Sequence, residues 1–173
     1  LNALIARSAR ELSVGFYTPG QAEAAIRHVF GVDTALVDDG TYLVAEVDGV
    51  LAGCGGWSHR RTLYGGDQRK IGENVHLDPR VDAARIRAFF VAPEWARRGV
   101  GRCILEACAT AAEHAGFSSL ELMATLPGVP AEMFEMFEQA GLQADGARRA
   151  QAAARLGQFR REQRHRLAQE HRG

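Results

Sequence analysis

Between residues 97 and 102 the chain reads Arg-Arg-Gly-Val-Gly-Arg. Two glycines one residue apart let a backbone come close to an anion, and the arginines around them offer planar, fixed positive charge suited to phosphate oxygens. An apolar-periodic stretch starts at once, with Val100, Ile104, Cys108 and Ala111 recurring at helical spacing. The turn therefore opens a helix, whose first residues present unpaired N–H groups and the positive end of the dipole. Just upstream, Ile86, Ala88, Phe89, Phe90 and Val91 form the apolar run of a strand buried on both faces, and Pro93 stops it. Strand, glycine turn and helix together could hold a phosphate group. The same residues also fit a tight strand-to-helix turn with solvated arginines.

Other candidate groups are scattered. His59 follows Trp57 at the end of a strand, where it could border a pocket or simply be solvated. Glu121 lies mid-strand in Phe117 to Ala124, as a catalytic carboxylate or as a paired or solvent-facing one. Asp67, Glu73 and Asp78 lie on a long polar connection over residues 60–83, and connections of that length are commonly functional. The six histidines and three cysteines have no metal-ligand spacing, so no metal is expected. No G-x-x-x-x-G-K-[S/T] occurs, which argues against a nucleoside triphosphatase. Cys54, Cys103 and Cys108 form no C-x-x-C pair and read as reduced thiols, consistent with a cytoplasmic protein.

The elements that must position these groups follow the local chemistry. Leu1 to Leu12 is amphipathic. Thr18-Pro19-Gly20-Gln21 combines a threonine cap, proline at the first helical position and a glutamine able to reach back, so a second helix starts there and ends by Gly31. Thr41 to Val47 and Val50 to Ser58 are strands joined by Asp48-Gly49, the chemistry of a two-residue hairpin. Gly53, Gly55 and Gly56 inside the second strand predict a bulge or a close approach by a ligand or another backbone. Arg85 to Ala124 then forms a β-α-β unit, right-handed and parallel. At 173 residues, 46% hydrophobic and with zero net charge, the chain is one domain's worth, and nothing global points to nucleic acid or a membrane.

Ala96-Arg97-Arg98-Gly99-Val100-Gly101, after a strand that ends near a proline, resembles motif A of the GNAT-superfamily N-acetyltransferases, [Gln/Arg]-x-x-Gly-x-[Gly/Ala], with alanine in the first position. The order of helices, hairpin and β-α-β unit agrees. The resemblance implies an α/β (α+β) fold with a mixed, mostly antiparallel sheet. It implies acetyl-coenzyme A as cosubstrate, held by Phe89, Phe90, Val91, Arg97, Arg98, Gly99, Val100, Gly101, Arg102 and Cys103, with Thr125 just beyond the next strand. The implied reaction is acetyl transfer to the primary amine of a small molecule or peptide, with an oxyanion donor near Val91. The family's thiolate-side tyrosine, four residues before the glycine of motif B, is Phe137 here. That substitution keeps a second reading open, a non-catalytic or impaired acyl-coenzyme A-binding module.

The resemblance covers residues 1–142. The family opens with a strand, whereas this chain opens inside a helix, so the first strand is expected to be missing. Residues 143–173 hold eight arginines against three acids and few large apolar side chains. They read as a tail outside the family pattern, helical or disordered, that cannot supply the last two strands; a frame change in the coding sequence would produce such text. An open sheet edge would then favour a homodimer. Nucleic-acid contact by the basic tail is disfavoured, because no aromatic residues are interleaved for stacking.

Overall fold

The computed structural model describes residues 1–62, 67, 75–124 and 150–155. Helix α1 (Asn2–Glu11), α2 (Pro19–His28) and the short α3 (Thr34–Asp38) precede strands β1 (Tyr42–Val47), β2 (Val50–Ser58) and β3 (Ala84–Val91); α4 (Val100–His114), β4 (Ser119–Ala124) and β5 (Ala150–Arg155) follow. The strands form one sheet in the order β1-β2-β3-β4-β5. Only β3 and β4 are parallel, and α4 links them.

Local chemistry explains most boundaries. Thr18 caps α2 in a complete capping box: its Oγ1 accepts from Gln21 N, and Gln21 Oε1 accepts from Thr18 N. Asp48 and Gly49 take positive φ values of 51° and 77°, as a hairpin of this hand requires. Asp33, whose side chain accepts from Ala35 N, starts α3. That helix is too short to show periodicity and is absent from the sequence reading.

The sheet separates two cores. On one face α4 packs over Trp57, Ala84, Ile86, Leu120 and Leu122, with Phe117 closing one end. On the other face Leu4 and Ile5 of α1, with Phe30 and Val32, cover Cys54, Ala92, Tyr42 and Phe90. The strand glycines make room for these layers. A Cβ on Gly53 would stand 3.0 Å from Val100 Cγ1 and 3.1 Å from Ile104 Cδ1, and one on Gly56 would stand 2.7 Å from Thr41 O. The expected close approaches are therefore made by the protein itself.

One expectation is corrected. The segment read as helical or disordered contains β5, paired antiparallel with β4 from Ser119↔Arg155 to Ala124↔Ala150. Alanine, glutamine and arginine have little strand preference of their own. Backbone pairing along the whole of β4 decides the conformation, a tertiary effect that residue types do not carry.

Candidate functional site

The parallel pair β3–β4 is short. Ala84, Arg85 and Ile86 pair with Leu120, Glu121 and Leu122, and the pairing stops there, while β3 stays paired to β2 up to Val91↔Gly53. Past Ile86, the side of β3 facing β4 carries no ladder among the described residues. Among the described residues, the backbone groups of Arg87 to Val91 that point away from β2 have no strand partner, and such groups can pair with an extended ligand.

A bulge shapes this edge. Cys54 pairs with Phe90 and Gly56 with Arg87, so Gly55 alone stands opposite Ala88 and Phe89. Ala88 takes φ +51°, unusual for a residue with a Cβ. The extra residue reverses the side-chain alternation. Ile86 and Phe89 both join the α4 core, while Arg87 and Phe90 turn to the α1–α3 side. Gly55 is essential to this arrangement, because a Cβ there would lie 2.4 Å from Phe89 Cδ2.

At the carboxyl end of β3 the chain makes a single 3-10 turn, Pro93–Trp95, and reaches the glycine turn. Arg97 and Gly99 adopt positive φ values of 62° and 86°. Gly99 is the cap of α4 and no side chain satisfies the helix start. The first intrahelical bond closes from Cys103 N to Gly99 O at 3.0 Å. The N–H groups of Val100, Gly101 and Arg102 therefore have no acceptor within the helix, and with the dipole their chemistry suits an anion. A Cβ on Gly101 would contact Phe89 Cε1 and Val91 Cγ2 at 3.6 Å, which places the turn directly beside the open edge of β3. Arg98 lies over the Trp95 ring, its guanidinium carbon 5.2 Å from the centroid, which fixes one cation at the turn.

Residues 89–91 and 97–103 are thus brought together; Thr125 and Phe137 lie outside the described residues. His59 and Glu121, the catalytic candidates on or beside the strands, lie elsewhere. Ser58 pairs with Arg85, so His59 leaves the sheet at the end opposite to Val91 and the glycine turn. There its ring stacks on His76, with centroids 4.7 Å apart, and lies 3.6 Å from Asp39. Burial lowers its pKa, and Asp39 opposes that shift. Asp39 itself is held below the ordinary carboxylate range by the Arg60 guanidinium, which donates to it from Nε at 2.7 Å and Nη2 at 2.5 Å. Glu121 is the ionic partner of Arg85 across the parallel pair. Among the described residues, no group of three His, Cys, Asp or Glu is placed to hold a metal ion, and no helix is long and apolar enough to cross a membrane.

A sequence model of the acetyltransferase (GNAT) family matches residues 6–141. The chain belongs to this family. No curated protein matches it. Its fold is similar to that of the PaiA N-acetyltransferase from Thermoplasma acidophilum in complex with coenzyme A, at 11% identity over 89% of each chain with a TM-score of 0.61. It is also similar to PH1933 from Pyrococcus horikoshii (12% identity, 89% of each chain, TM-score 0.54) and to Ard1 from Thermoplasma volcanium (17%, 89% of each chain, 0.50). At these identities the likeness concerns the fold.

Sequence reading missed the buried arginine of this GNAT domain as a structural feature. Arg87 pairs with Asp33 on the α1–α3 side, Nη2 to Oδ2 at 2.7 Å. The available signal was a formal charge inside an apolar strand, since such a charge needs a partner.

Proposed function

We propose that this protein transfers an acetyl group from acetyl-coenzyme A to a primary amine. The observation that carries the reading is the conjunction of an unladdered β3 edge with an uncapped helix start contacting that same edge. The turn from Arg97 to Arg102 suits a pyrophosphate, through backbone N–H groups first and arginine charge second. The edge from Phe89 to Val91 suits an amide-bearing arm that pairs as a strand would. Bound acetyl-coenzyme A supplies an activated thioester for attack by a neutral amine. The protein's part is to hold that thioester in place. Glu121, held by Arg85, and His59, at the far end of the sheet, are left outside this scheme.

Calorimetry with acetyl-coenzyme A, followed by thiol release with a panel of primary amines, tests the reading. Saturable binding and amine-dependent thiol release are expected. Gly101→Val should weaken binding at least tenfold, because its methyl groups enter the space beside Phe89 and Val91 that the ligand must approach. Absence of binding by the wild-type protein overturns the proposal. Binding without release from any amine assigns an acyl-coenzyme A-binding role instead, the alternative that Phe137 keeps open.

A further inference from the structure

We propose that Arg87 is a positioning residue: its buried ion pair with Asp33 holds the bulge at Ala88, and with it the strand edge that receives acyl-coenzyme A. The inference rests on the reading above that the opening beside β3 takes such a ligand.

The two side chains are 5% and 1% exposed, so both charges are removed from water. Asp33 is fixed independently of Arg87, because it caps α3 through Ala35 N. Asp67 adds a second carboxylate to the field of Arg87; it is tied to the same corner by Thr34, whose N and Oγ1 donate to Asp67 Oδ1 at 3.0 and 2.9 Å. A buried ion pair is poor value as a source of stability, since well-packed apolar residues in its place commonly do as well. Its location supplies the missing reason. The next residue is Ala88, in the left-handed region at φ +51°, a conformation that lasts only where the surroundings over-determine it.

Two anchors do so from opposite faces. Phe89, after the bulge, is seated against Gly55 on the α4 side. Arg87, before it, is tied to Asp33 on the α1–α3 side. With one anchor gone, the bulge can relax toward regular pairing, which turns Phe89 and Phe90 to the wrong faces and shifts the backbone groups along the opening.

The test separates positioning from stability. Arg87→Met alone leaves Asp33 buried without its ionic partner, so a lower Tm and weaker acetyl-coenzyme A binding are both expected. The double variant Asp33→Asn with Arg87→Met removes both charges and keeps the α3 cap, because asparagine caps as well as aspartate. Its Tm should return close to wild type, while its Kd for acetyl-coenzyme A, measured by calorimetry, stays raised on the order of tenfold. A double variant with wild-type Kd overturns the inference. If the double variant does not fold, Asp33→Asn alone serves: its Oδ1 keeps the cap on Ala35 N, while an amide N–H replaces the Oδ2 that met Arg87, so the anchor is lost. A raised Kd, measured at a temperature where the variant is fully folded, supports the proposal, and an unchanged Kd ends it. Wild-type protein that fails to bind acetyl-coenzyme A removes both readings; wild-type protein that binds beside a double variant that binds equally well removes only this one.

Discussion

At the scale of single residues, the strand edge depends on what is absent from one position. Gly55 has no Cβ, and the space is filled by the Phe89 ring, which an alanine would meet at 2.4 Å from Cδ2 and 2.9 Å from Cε2. The ring must then move as a body. Gly55→Ala should therefore cost about 1–3 kcal/mol of stability, the usual range for overpacking, and should also weaken acetyl-coenzyme A binding, because Phe89 belongs to the open edge. Denaturant unfolding and calorimetry on the same variant check both effects. Gly101 differs: its Cβ would meet only ordinary contacts at 3.6 Å, so Gly101→Ala should fold and bind nearly as wild type. The cysteines give a second check at this scale. Cys103 is exposed at the start of α4, whereas Cys54 and Cys108 are buried. Desolvation raises the Cys54 thiol and pushes that of Cys108 up to about 12. Iodoacetamide at pH 8 should alkylate Cys103 and spare the other two until the protein is denatured, and saturating acetyl-coenzyme A should slow the reaction at Cys103. Modification of native Cys108 at the rate of Cys103 would contradict the burial described, as read by mass spectrometry of tryptic peptides.

At the scale of elements, legibility in the sequence followed the range of the interaction that decides each feature. The Thr18–Gln21 capping box and the Asp48-Gly49 turn are closed within four residues, and their chemistry is written in adjacent letters. The glycine turn before α4 is likewise local, so the start of that helix could be placed from residue types alone. The strand glycines announced a close approach, although the sequence left open whether a ligand or the protein makes it. Those glycines announced a bulge as well, but its place, with the extra residue on β3 at Ala88, was not legible, because it exists only as a mismatch in register between β3 and β2. The Arg87–Asp33 pair joins residues far apart in the chain, and β5 is a strand because β4 pairs with it. His59 shows the same limit from the other direction. Its place after a strand was correctly read, but antiparallel pairing sends the end of β2 away from the end of β3 that carries the turn.

At the scale of the whole molecule, the glycine turn and the His59 cluster occupy opposite ends of one sheet, and they should respond to different conditions. The clasp at the far end is built from Asp39, Arg60, His59 and His76. Arg60 bridges to His76, Leu77 N donates to His59 O at 2.7 Å, and Arg61 N donates to Val75 O at 3.0 Å. His59 is only partly shielded, and burial holds its folded-state pKa below the ordinary histidine value, with Asp39 opposing that shift and His76 and Arg60 adding to it. A histidine with a depressed folded pKa binds protons more readily in the unfolded chain. Its contribution is therefore complete above about 6.5 and is lost as pH falls through the lower folded value. Asp39 is shifted down as well, chiefly by Arg60, so its contribution persists until the carboxylate range is reached and then fades. Stability should thus fall in two stages on acidification, the first below about pH 6.5 and the second below about pH 4. His59→Gln should flatten the first stage and leave the second in place, as followed by Tm against pH. Acetyl-coenzyme A binding, which we propose at the opposite end of the sheet through backbone N–H groups, should change little across the first stage. A first stage that survives unchanged in His59→Gln would overturn its assignment to His59.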